Sequence, residues 1–113
     1  ANKEFINNCY YKKQNDNELT SQIKIIEKVN PIIRKAIRGQ KLNYKDLVEN
    51  LKIPMMIIQG ENDKVVSLSR VEKLSEINKN FNFIKYKKCG HTVFIENETN
   101  FYKDINNFIQ SIK

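Results

Sequence analysis

Pro54-Met55-Met56-Ile57-Ile58-Gln59-Gly60-Glu61-Asn62-Asp63 is an apolar run that begins behind a proline and ends in a glycine and a carboxylate. Further on, Asn82-Phe83-Ile84-Lys85-Tyr86 leads into Lys87-Lys88-Cys89-Gly90-His91, a second apolar run that ends in a glycine and the sole histidine. Met55 to Ile58 is short, unbroken and apolar, as in a strand covered on both faces within a parallel sheet. Between the two runs, Leu68, Val71, Leu74 and Ile77 recur at helical spacing behind Ser67 or Ser69, and Ser69 with Glu72 has capping-box spacing. Strand, helix, strand makes a right-handed crossover between parallel neighbours. Neighbouring strands lie about 4.8 Å apart. Asp63 and His91 then leave the same sheet edge, where open α/β sheets place their ligands, and Gly60 and Gly90 allow sharp exits from the strands.

That placement makes an Asp63–His91 hydrogen bond plausible. Its use is general-base chemistry: the carboxylate holds imidazole Nδ1–H and stabilises the imidazolium, while Nε2 takes a proton from a nucleophile. Singly, each residue has a plainer reading. A lone histidine in a polar loop is ordinarily a surface residue, and Gly-x-x-Asp is common in turns. Their arrival at successive strand ends makes them a candidate pair.

Outward from this unit, Phe101, Ile105, Phe108, Ile109 and Ile112 form the stripe of a closing helix that starts near Asn97 or Thr99. On the other side, Asn43 to Leu51 reads as a short helical turn. Leu19, Ile23, Ile26 and Val29 mark a helix capped by Asp16 or Asn17. Asn30-Pro31 breaks it and starts another through Ile32, Ile33, Ala36 and Ile37, stopping at Gly39. Residues 1–17 read as a partly helical or irregular entry.

Composition excludes several classes. The 113 residues carry a formal charge of +7, but the lysines are dispersed among asparagines without an arginine cluster, so nucleic acid is not an expected partner. No run of about 18 apolar residues exists to span a membrane, and no signal peptide is visible. Cys9 and Cys89 follow no metal or disulfide spacing. They are expected to be reduced thiols in a cytoplasmic protein. A Cys9/Cys89/His91 metal site lacks a fourth ligand, and there is no phosphate-cradling glycine loop; no metal or cofactor is expected. The chain begins with Ala rather than Met, which suggests a fragment or a processed product.

Leu51-Lys52-Ile53-Pro54-Met55-Met56-Ile57-Ile58-Gln59-Gly60-Glu61-Asn62-Asp63-Lys64-Val65-Val66 closely resembles the segment that carries the catalytic acid in α/β-hydrolases. Lys88-Cys89-Gly90-His91-Thr92-Val93-Phe94-Ile95-Glu96-Asn97 resembles that family's histidine loop. The resemblance covers roughly residues 44–113. It implies an α/β fold, here the C-terminal part of an α/β-hydrolase: two parallel strands with flanking helices. Residues 1–43 match in character only, as a helical cap or lid-like segment. The resemblance further implies that Asp63 is the triad acid and His91 the base, and that the complete enzyme acts on small ester-like substrates.

One part of the pattern is missing. The family's nucleophile sits in a Gly-x-Ser-x-Gly elbow, and none of the three glycines Gly39, Gly60 and Gly90 brackets Ser21, Ser67, Ser69, Ser75 or Ser111. Cys89, two residues from His91, is poorly placed to replace it. Glu96 reads as a cap of the last helix or a support of the histidine loop, with the cap as the plainer role. A base with nothing to activate leaves the isolated chain inactive. The alternative is a non-catalytic binding module on the hydrolase scaffold. Two strands alone leave apolar faces and open edges, so self-association, or pairing with a chain that supplies the rest of the sheet, is expected.

Overall fold

The computed structural model describes residues 1–40 and 45–113. The decisive unit forms as read. Strand β1 (Met55–Gly60) and strand β2 (Phe81–Tyr86) pair in parallel, with Met55 opposite Phe81 and Gly60 opposite Tyr86. Both strands therefore end level, and the loops that follow them start side by side. Helices are labelled in chain order, α1 being Asn2–Asn8, α2 Asp16–Glu27, α3 Pro31–Arg38, α4 Lys45–Asn50, α5 Leu68–Ile77, α6 Val93–Glu96 and α7 Glu98–Ser111. α5 is the crossover.

Local chemistry fixes the helix starts. Asn30 accepts the Ile32 amide at 2.8 Å ahead of Pro31, as the dipeptide implies. The α2 cap is Asn15, ahead of both Asp16 and Asn17, because Glu18 reaches back to its amide at 3.0 Å and completes a capping box. At α5, Ser67 is the N-cap but its hydroxyl bonds Ser69 at 2.8 Å, and no side-chain cap forms. The turn expected over Asn43 to Leu51 is present from Lys45. Asn43 and Tyr44, and with them the expected boundary between 1–43 and 44–113, lie outside the described residues.

Two apolar clusters hold the chain. Ile6, Cys9, Tyr10 and Leu19, backed by Ile23 and Ile26, join α1 to α2. Tyr86, Cys89 and Val93, backed by Ile58, Ile84 and Phe101, sit under the end of the sheet. Tyr86 donates to Asp104 at 2.6 Å and ties β2 to α7. Much apolar surface remains open: Met55 to Ile58 are only half-buried, and Ile25, Ile32, Ile37, Ile109 and Ile112 are exposed. The radius of gyration is 16.1 Å, against about 13 Å for a compact chain of this length. This is a piece of sheet with its helices, not a closed core.

Candidate active site

Asp63 stands in the turn after β1, closed by the Asp63 amide on the Gly60 carbonyl at 3.2 Å. Its Oδ1 accepts the Val65 amide at 2.8 Å and the Val66 amide at 2.9 Å. Its Oδ2 meets His91 Nδ1 at 2.9 Å. The Asp63 side chain is 4% exposed and that of His91 42%, so a buried carboxylate holds an accessible ring. Burial alone pushes the Asp63 carboxyl up. The Val66 amide, the His91 hydrogen bond, the Val65 amide and the His91 charge outweigh it and leave the group below its ordinary 3.8. An ionised carboxylate only accepts hydrogen bonds, so this contact uses a proton on His91 Nδ1.

His91 is held from several sides. Lys88, at φ 54°, turns the chain left-handed after β2. Asn62 N–H donates to the Cys89 carbonyl at 2.9 Å and fastens the Asp63 turn to the histidine loop. The Cys9 carbonyl accepts from the His91 amide at 2.8 Å, the Thr92 amide at 3.1 Å and the Thr92 hydroxyl at 3.2 Å. Glu96 Oε2 accepts the Gly90 amide at 2.7 Å, while Oε1 accepts the Tyr11 amide at 2.6 Å and the Lys12 amide at 3.4 Å. The segment after α1 is therefore stapled to the loop that carries His91.

Glu96 thus supports the histidine loop, the reading the sequence ranked second. Its removal is a direct test. Charge-assisted hydrogen bonds contribute about 1.5–3 kcal/mol each, so Glu96→Ala should lower unfolding stability in urea by at least that much. It should also speed hydrogen exchange at the Tyr11 and Gly90 amides. An unchanged midpoint with unchanged exchange would remove Glu96 from this role.

Gly60 and Gly90 matter for space, not for backbone freedom: neither has a positive φ. A Cβ on Gly60 would overlap the Gly90 and Cys89 carbonyl oxygens, and one on Gly90 would lie 2.8 Å from backbone atoms of Cys9, Tyr10 and Tyr11. The three strands of backbone touch here because no side chain intervenes. Cys89 is 2% exposed. Burial, then the Glu96 charge, pushes its thiol up, which disfavours the thiolate that a nucleophile needs. Burial, then Asp63, raises the Cys9 thiol likewise.

A cavity of about 200 Å³ is lined by Ile57, Gln59, Asp63, Val66, Val71 and His91. A larger cleft of about 460 Å³ runs between Tyr10, Gln22 and Ile95 and touches neither Asp63 nor His91. The smaller one is the one that Asp63 and His91 line. Among the described residues no helix is long and apolar enough to cross a membrane.

Comparison with known proteins places the fold. Among solved structures, the chain is similar to a Burkholderia cenocepacia protein assigned as an aryl esterase, at 15% identity and a TM-score of 0.87 over 98% of this chain and 41% of that one. It is similar to the esterase EaEST from Exiguobacterium antarcticum, at 15% identity and a TM-score of 0.81 over 96% of this chain and 41% of that one. The esterase RhEst1 from Rhodococcus sp. ECU1013 matches at 27% identity and a TM-score of 0.70, over 74% of this chain and 30% of that one. The chain thus spans less than half the length of these esterases, and its fold is part of an α/β-hydrolase fold. No curated protein matched its sequence. The family model described as "Serine hydrolase (FSH1)" matches residues 9–100, and the chain belongs to that serine hydrolase family.

Proposed function

We propose that this chain supplies the acid and base of a serine hydrolase acting on small ester-type substrates, with the nucleophile in residues beyond these 113. The observation that carries the reading is the 2.9 Å contact between His91 Nδ1 and Asp63 Oδ2, with the carboxylate buried and fixed by two amides. In this scheme His91 Nε2 accepts the proton of a serine hydroxyl as its oxygen attacks the ester carbonyl. Asp63 stabilises the resulting imidazolium. The proton then passes to the departing alkoxide, and His91 activates water to cleave the acyl-enzyme. Residues 1–43 act as the cap and residues 44–113 as the core segment.

The isolated chain should not turn over short p-nitrophenyl esters above a His91→Ala control. Turnover that disappears in that control would mean a nucleophile inside the chain and would overturn this assignment.

The same reading requires a partner surface. Among the described residues the sheet has two strands, and the apolar residues of β1 are half-exposed. An open edge and uncovered apolar faces favour self-association, or union with a segment that completes the sheet. Sedimentation at micromolar concentration should give a mass above the 13.4 kDa of one chain; a monomer would contradict it.

A further inference from the structure

We infer that Gln59, the penultimate residue of β1, is a positioning residue for the acid, a role that rests on Asp63 and His91 acting as the acid–base pair. Gln59 is 5% exposed. Its Nε2 donates to the Val66 carbonyl at 2.8 Å and reaches Asp63 Oδ2 at 3.5 Å, the outer limit of a hydrogen bond. That oxygen is the one bonded to His91. The first bond pins Val66, whose own amide holds Asp63 Oδ1, so the acid turn is closed from strand to helix. The second places a neutral donor beside the oxygen that faces the imidazole. A lysine there would compete with the imidazolium for the carboxylate charge; an amide orients the carboxylate without competing.

The other end of the same amide supplies an independent observation. Gln59 Oε1 is buried and has no hydrogen-bond partner among the described residues. Flipping the amide would not relieve it, because the oxygen would then face the Val66 carbonyl and the Asp63 carboxylate, both acceptors. The unmet oxygen is a consequence of aiming the NH₂ at the acid turn. A residue that merely filled this space would do so without a buried unmet acceptor. The donor is what the position uses.

The chain has a single histidine, so its ring signals in a ¹⁵N-histidine-labelled sample need no assignment. In the native chain, in whatever assembly it forms, the Nδ1–H proton should resonate far downfield and exchange slowly. Gln59→Met matches the side chain in length, removes the donor and fills the space. It should lose the protected Nδ1–H signal and the protection of the Val65 and Val66 amides, while the β1–β2 ladder amides stay protected. Gln59→Leu serves as a second donor-free variant if Met fails to fold. Retention of the ring signal and of both amide protections in a folded variant would overturn the inference. Asp63→Asn separates the two levels. If it leaves the ring signal intact, the acid–base reading fails and takes the role of Gln59 with it. If it abolishes the signal while Gln59→Met does not, only the role of Gln59 fails.

Discussion

Asp63→Asn in the catalytically complete hydrolase should lower kcat by about 10⁴-fold with little change in KM, the loss that follows when the orienting Asp of such a triad becomes Asn. The geometry gives the reason. The Val65 and Val66 amides both point at Oδ1, so an asparagine would keep its oxygen there and turn its NH₂ toward His91. A donor in the place of Oδ2 demands an acceptor at Nδ1, which moves the imidazole proton to Nε2. The ring would then present a hydrogen where it must accept one. Fold and cavity would be almost unchanged, which distinguishes this loss from one caused by unfolding. A fall of only about tenfold would mean that Asp63 contributes little more than a surface charge to the proton transfer.

Gly60→Ala should destabilise the chain by about 1–3 kcal/mol or more, the cost of forcing an extra methyl into a close-packed site. The upper end is expected, because the added carbon meets backbone rather than a side chain that could turn aside. Relief requires that the Cys89–Gly90 peptide move away from β1. That movement breaks the Asn62 to Cys89 bond and draws His91 from Asp63. Denaturant unfolding should therefore show the lost stability, and proteolysis or hydrogen exchange should locate the loosened region at residues 88–92. Unaltered stability would mean that β1 and the histidine loop are not in contact as described.

The Asp63–His91 contact was legible in the sequence because parallel strands joined by one helix leave few geometric choices. Asp63 and His91 follow their strands by a few residues each, and the level register brings the two loops together. The N-terminal entry was not legible. Cys9, Tyr11 and Lys12 act through a carbonyl and two amides, and backbone groups leave no mark on residue type. Hence the link from Cys9 to His91 and Thr92, far apart in sequence, had no signal to find. Glu96 was visible as a candidate, but its position beside a helix start favoured a cap. Only the proximity of Tyr11 and Gly90 decides for the loop. Gly60 and Gly90 stand out in the sequence as sharp strand exits, whereas the property that operates, crowding by other backbones, is a tertiary fact. Gln59 carried a faint signal, a polar residue at the end of an otherwise apolar strand, which becomes informative once both ends of its amide are located.

The most direct test of the acid–base assignment is reaction of the native assembly with a fluorophosphonate, followed by mass-spectrometric mapping of the modified residue. Phosphonylation should fall on a serine outside residues 1–113 and should be abolished by His91→Ala. A modified residue within these 113, or labelling that persists undiminished without His91, would contradict the account.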